Sequence, residues 1–201
     1  AMNDEEQTEN TEQQSAKEQI SAKGEIYDWI HSIIAAFVVG ILLFVFIGRV
    51  VRVDGRSMFS TLHNNDMVIT SNLFYTPKAG DIIVFRNEHY KTEPLVKRII
   101  ATEGQTVSID FDKGIVSVDG VELKEDYTNA LTYTRENYSG PVTVTAGHLY
   151  VMGDNRNDST DSRYFGLVDV RQVIGKVHVI ILPGDNEDSP RDWSRLGSVY
   201  R

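Results

Sequence analysis

The chain contains no cysteine, which rules out a thiol nucleophile and any thiolate metal site and turns attention to its serines. A serine hydroxyl is a poor nucleophile until a nearby base takes its proton, and the bases on offer decide which serine matters. Histidine is the first to weigh, with His31, His63, His89, His148 and His178. His31 falls in a long apolar run and His178 within the apolar stretch from Val177 to Leu182, which suits structural roles, and nothing marks His63 as a base. No HExxH occurs, and five scattered histidines give no ligand spacing. Lysine is the other base used with serine, but a free amine with a pKa of about 10.4 is almost wholly protonated at neutral pH. Burial disfavours the ammonium form and can lower that value by several units, so the sign to look for is a lysine inside an apolar strand.

Lys97 has that setting, in Leu95-Val-Lys-Arg-Ile-Ile-Ala101, whereas Lys78, Lys91, Lys113 and Lys124 lie among polar or turn residues. Strand alternation places Lys97 on one face with Leu95 and Ile99 and points Arg98 the other way. From this stretch alone, two exposed cations on an edge strand is the favoured reading. Ser57, in Val53-Asp-Gly-Arg-Ser-Met-Phe-Ser-Thr-Leu62, has by itself no better claim than other serines. A third segment, Gly153-Asp-Asn-Arg-Asn-Asp-Ser-Thr-Asp-Ser-Arg-Tyr-Phe-Gly166, packs ionic and small polar residues behind the apolar run Leu149 to Met152. A solvated loop, a calcium loop and a polar network that orders a site all fit that composition. Calcium fits least, because Arg156 would take the third ligand position of an EF-hand loop and Ser159 the place of its glycine. In the network reading an ion pair such as Asp161 and Arg163 holds the loop.

These segments need a scaffold. Residues 1 to 28 carry eight Asp or Glu and two Lys, a net of −6 out of the −9 of the whole chain. Residues 1 to 24 hold almost nothing that could form a core, so the entropy lost on ordering would go unrecovered, and they read as a mobile tail. From Trp29 to Ile47, WIHSIIAAFVVGILLFVFI runs without a formal charge, about 28 Å as a helix, close to the hydrocarbon thickness of a bilayer. This predicts a transmembrane helix, since a core helix would show a polar stripe and a cleavable signal peptide a basic front and a small-residue exit. Arg49, Arg52 and Arg56 follow it while only Lys17 and Lys23 precede it, so the positive-inside rule would put the C-terminal part in the cytoplasm.

Beyond residue 52 the pattern becomes short alternating runs such as Val68-Ile69, Ile82 to Phe85 and Val107 to Phe111, with no long amphipathic helix. Asp112-Lys-Gly114 and Asp119-Gly120 supply turn residues, predicting successive hairpins from Ser108 to Leu123. The fold class is therefore mainly β: an antiparallel sheet domain over 49–201, behind a tail over 1–28 and an anchor over 29–48. A chain of 201 residues supports one such core plus an accessory segment. Outside the tail the net charge is only −3, with no basic stripe, so nucleic acid is excluded as a partner. No cofactor and no metal are implied.

In order and spacing the segments resemble bacterial type I signal peptidases. GRSMFSTL is similar to the family's serine box, GDIIVF (Gly80 to Phe85) to its first β box, VKRIIATEGQTV to its lysine box and GDNRNDSTDSRYFG to its polar box, a match running from about Val51 to Pro183. The resemblance implies a membrane-anchored Ser-Lys endopeptidase whose catalytic domain lies outside the cytoplasmic membrane, against the charge rule. It implies cleavage of secreted preproteins after small residues at the first and third positions before the scissile bond. By the same resemblance Ser57 is the nucleophile and Lys97 the general base, Ser159 orients that lysine, Asp161 and Arg163 form a supporting ion pair, and Asp154 and Arg156 are further scaffold. The backbone N–H of Ser57 contributes to the oxyanion hole, where Gly55 stands in place of a serine that some relatives use as a donor. Shallow apolar pockets are implied, with Met58 a candidate wall. Ser60 replaces a proline found in many members, which leaves the stiffness of the loop to other contacts. Two alternatives share the outline: a noncatalytic relative that scaffolds surface-fibre assembly, which would have lost the Ser-Lys pair, and a self-cleaving DNA-binding regulator, which would lack an anchor.

Overall fold

A computed structural model describes residue 27 and residues 29–41, 48–87, 90–185, 191–197 and 199. The chain divides into two compact units, residues 1–46 and 47–201. In the first, residues 29–41 are helical, with Trp29, Ile33 and Phe37 turned outward at 72%, 62% and 70% exposure. Among the described residues no helix is long and apolar enough to cross a membrane. The end of the predicted span, residues 42–47, and the tail, apart from Tyr27, lie outside the described residues.

Among the described residues the second unit has eleven strands: β1 (Arg49–Arg52), β2 (Met67–Ser71), β3 (Ile82–Asn87), β4 (Lys91–Thr102), β5 (Thr106–Asp110), β6 (Ile115–Val118), β7 (Val121–Glu122), β8 (Val142–Thr143), β9 (His148–Met152), β10 (Val168–Asp169) and β11 (Val173–Leu182). Seven form one sheet in the order β1-β2-β11-β3-β4-β9-β10, and four form another in the order β7-β6-β5-β8. Every pairing is antiparallel. The hairpins predicted over Ser108 to Leu123 are β5, β6 and β7. Asp119 and Gly120, at φ 52° and 79°, form the two-residue turn that joins β6 to β7. Two of the arginines that follow the apolar run belong to β1, where Arg52 donates to the side chain of Asn65 at 2.7 Å.

β4 positions the site. It lies between β3 and β9, with Lys97 opposite Ile83 and Arg98 opposite both Ile82 and Met152. The edge-strand reading of these two cations is therefore wrong: they are 3% and 4% exposed, because both long edges of the strand are paired and both faces are covered. One apolar cluster joins Val96, Ile82 and Val84 to Met58 and Leu62, another joins Ile99 to Ile83, Phe85 and Val151, and a third ties Ile100, Tyr150 and Met152 to Val107 and Val116 of the smaller sheet. His178 departs from its expected structural role. It sits between Val177 and Val179 on the outward face of β11 and is exposed.

Candidate active site

Ser57 sits in a tight turn between β1 and β2. Phe59 N donates to Arg56 O at 3.0 Å and Leu62 N to Met58 O at 2.9 Å, while Met58 and Leu62 are buried at 2% and 0% exposure. These bonds and two apolar anchors fix the loop that a proline at position 60 would otherwise have stiffened. Gly55, at φ 94°, enters the turn in the left-handed region, and its N–H donates to the side chain of Asn64. On the far side, Asn155 N donates to Ser57 O at 3.0 Å and the Asn155 side-chain amide to Arg56 O at 3.1 Å. The polar segment thus grips the peptide that carries the serine.

Lys97 Nζ donates to Ser57 Oγ at 2.6 Å and to Val96 O at 3.1 Å. No carboxylate forms an ion pair with it among the described residues. Burial pushes the amine's pKa down from 10.5 to about 8, against the opposing pull of the negative charges of Asp161, Asp154 and Glu136. At that value roughly a tenth of the amine is neutral at pH 7, able to accept the proton it donates in the charged form.

Two buried ion pairs flank this contact. Asp154 accepts both ends of the Arg98 fork at 2.8 and 2.7 Å, and it also takes the hydroxyl of Thr61 from the serine loop. Asp161 caps the single-turn helix α1 (Ser162–Phe165), holds Arg163 Nε at 2.9 Å and Nη2 at 2.8 Å, and accepts Gly153 N at 3.0 Å. Arg156 donates to Gly153 O and to Thr132, and its fork closes on Glu125. Asp154 and Asp161 are thereby committed to arginines, which removes the calcium-loop reading of this segment.

A family model described as signal peptidase, peptidase S26, matches residues 26–182. The chain belongs to the signal peptidase, peptidase S26, family. A signal peptidase I of Bacillus amyloliquefaciens is 35% identical over 182 residues, covering 84% of this chain and 95% of that one. A probable signal peptidase I of Mycobacterium leprae is 31% identical over 237 residues, covering 85% of this chain and 80% of its own. Among solved structures, a signal peptidase I from Enterococcus faecalis is 34% identical with a TM-score of 0.42, covering 51% of this chain and 97% of that one.

Within this family member the residues singled out from the sequence fall together, with one difference in detail. Ser159 is 8% exposed and close to Gly153, but its hydroxyl donates to Asp161 at 2.9 Å rather than meeting Lys97. The carboxylate is the stronger acceptor, and it claims the one proton the serine has to give. Asp154 and Arg156 each close a separate ion pair, with Arg98 and with Glu125. Met58 packs in the apolar cluster with Leu62 and Val96, so its side chain serves first to seat the turn. Arg98, Glu125, Thr61 and Asn155 are the contributors that sequence reasoning missed. Arg98 had a signal, a cation inside an apolar run. Glu125 had none, since its partner is 31 residues away across a loop.

Proposed function

We propose that this chain is a membrane-bound serine endopeptidase that removes signal peptides from exported preproteins, with Ser57 as nucleophile and Lys97 as general base. The reading is carried by the 2.6 Å contact between Lys97 Nζ and Ser57 Oγ, made by a lysine that is only 3% exposed. In its neutral form Nζ takes the hydroxyl proton as Oγ bonds to the scissile carbonyl carbon. The developing oxyanion is met by the backbone N–H of Ser57. The carbon–nitrogen bond then breaks and the Lys97 ammonium gives its proton to the leaving amine. Water, losing a proton to Lys97, then bonds to the acyl carbon, and as the carbon–Oγ bond breaks the Lys97 ammonium returns that proton to Ser57 Oγ. The Asp154–Arg98 pair ties the polar segment to the strand that carries Lys97, and the Asp161–Arg163 pair holds that segment where it grips the serine loop.

The outward apolar side chains of helical residues 29–41 support an anchor over 29–48. With that anchor, the tail over 1–28 lies in the cytoplasm and residues 49–201 form the catalytic domain on the outer side. Confinement to the membrane plane raises the effective concentration of cleavage sites that lie close to a bilayer. Substrates carry small residues at the first and third positions before the scissile bond. The test is cleavage of a model preprotein by the full chain in detergent. Ser57→Ala is expected to abolish cleavage, and a bulky residue placed just before the scissile bond to block it; a parental rate in Ser57→Ala would refute the reading.

A further inference from the structure

Arg195 lies beyond the segment that the family model matches, which ends at residue 182, yet it is 9% exposed and deeply engaged. It sits in a single turn of 3-10 helix, Trp193–Arg195, capped by the side chain of Asp192. Its guanidinium closes a fork on Asp66, with Nη1 to Oδ1 at 2.9 Å and Nη2 to Oδ2 at 2.6 Å, and Nη2 also donates to Thr61 O at 3.2 Å. Asp66 is fully buried and accepts two further bonds, from His63 N at 2.8 Å and from Gly184 N at 2.7 Å. The same carboxylate therefore joins the end of the serine loop, the chain after β11 and the C-terminal turn. Thr61, whose carbonyl Arg195 holds, gives its hydroxyl to Asp154, the partner of Arg98 next to Lys97. One turn earlier, Leu62 N is bonded to Met58 O beside Ser57.

We infer that Arg195 is a positioning residue for the nucleophile: through Asp66 and the Thr61 carbonyl it fixes the Ser57 loop from the C-terminal end of the chain. The inference rests on the proposed function of Ser57. Burial alone would not require this arrangement, because a methionine could fill the same volume. The fork is what ties the C-terminal turn to residues 61 and 66, and without it Asp66 is left as a buried carboxylate facing only backbone N–H groups. Small displacements of a nucleophile weigh heavily on rate, about 100-fold for an error near 1 Å.

The experiment compares the full chain with Arg195→Met, Arg195→Lys, Asp66→Asn and the double variant Asp66→Asn/Arg195→Met. Val116→Ala, in a different apolar cluster from the one that holds Met58 and Leu62, serves as a destabilised control. Three quantities are read well below each melting temperature: kcat and KM on a model preprotein, and the rate at which a neutral serine-acylating reagent labels Ser57. Arg195→Met is expected to lower kcat and the labelling rate about 10- to 100-fold with KM within about twofold, and Arg195→Lys to recover part of the loss. Val116→Ala is expected to melt earlier without moving either rate, and the double variant to be no worse than the poorer single one. Should Arg195→Met not fold, Arg195→Lys carries the test, with a loss of about 3- to 10-fold expected. Parental kcat and labelling in the folded Arg195 variant, or an equal loss in Val116→Ala, would overturn the inference. A parental chain that never cleaves preprotein would instead overturn the proposed function, and the labelling rates would still decide the role of Arg195.

Discussion

Lys97 and Arg98 are consecutive cations on one central strand, equally buried, and the chain treats them in opposite ways. Arg98 lies on a carboxylate that accepts both ends of its fork, gives a third bond to Gly80 O at 2.8 Å, and covers the ring of Tyr127 at 3.9 Å. Lys97 has a hydroxyl and one carbonyl. The guanidinium cannot lose its proton, so burying it requires full compensation. The amine can, and where compensation is withheld its pKa falls until the neutral form is within reach. The contrast separates a cation that holds the fold from one left poised to exchange a proton.

The sharpest way to break this contrast is to remove the amine while keeping its volume. Lys97→Met is expected to lower cleavage of a model preprotein by about 10⁴-fold or more, as for loss of the base in other serine enzymes. The same variant should be more stable than the parent, and the sign follows from the pKa. With a folded value of about 8 against 10.5, the folded state resists protonation, so the cost of burying the charge is fully present below pH 8. It diminishes between pH 8 and 10.5 and is gone above. Denaturant melts should give Lys97→Met an advantage of roughly 3 kcal/mol at pH 7 that closes as the pH rises through this window.

Arg98→Met should do the reverse. It strands Asp154, which is fully buried, with the Thr61 hydroxyl as its remaining partner in the serine loop. The expected loss is about 3–5 kcal/mol of stability, read from the urea midpoint, because an uncompensated buried charge costs more than the pair it belonged to. If Arg98→Met proved as stable as the parent, the distinction between the two cations would fail.

A milder probe leaves both residues in place and varies the pH. If Lys97 must be neutral to act, kcat/KM should climb about tenfold per unit below its pKa and level off above about 8. Glu136→Gln, which deletes one of the negative charges that favour the ammonium, should move this limb to lower pH. A flat profile between pH 6 and 9 would mean that Lys97 is not the titrating base.

How much of this was legible beforehand depends on the length scale of each interaction. The hairpins from β5 to β7 were readable because Asp119-Gly120 is a local turn signal and the flanking runs alternate. The apolar setting of Lys97 was readable too, since it lies within three residues on either side. That both cations are central was not, because the pairing of β4 with β9 brings together Arg98 and Met152 across a long span of sequence. The ion pair of Asp161 with Arg163 spans two positions and was foreseen; those of Arg98 with Asp154 and Arg156 with Glu125 span 56 and 31 and were not. Pairing over such separations is set by the fold, and a single sequence carries no mark of it.

Ser159 gives the finest comparison, between a hydroxyl that serves the lysine and one that serves the scaffold. Its Oγ donates to Asp161, and it fills the space beside Gly153 so closely that a Cβ on that glycine would clash with the hydroxyl oxygen. Asp161 keeps Gly153 N and the Arg163 fork when this one bond is removed. Ser159→Ala should therefore cost about 1 kcal/mol of stability and lower kcat by about tenfold or less, with the pH limb unmoved. If the hydroxyl instead oriented Lys97 during turnover, the loss would approach that of Lys97→Met and the limb would shift. A pH profile of Ser159→Ala distinguishes the two, because only a direct partner of the amine changes its proton affinity by hydrogen bonding to one of its two forms.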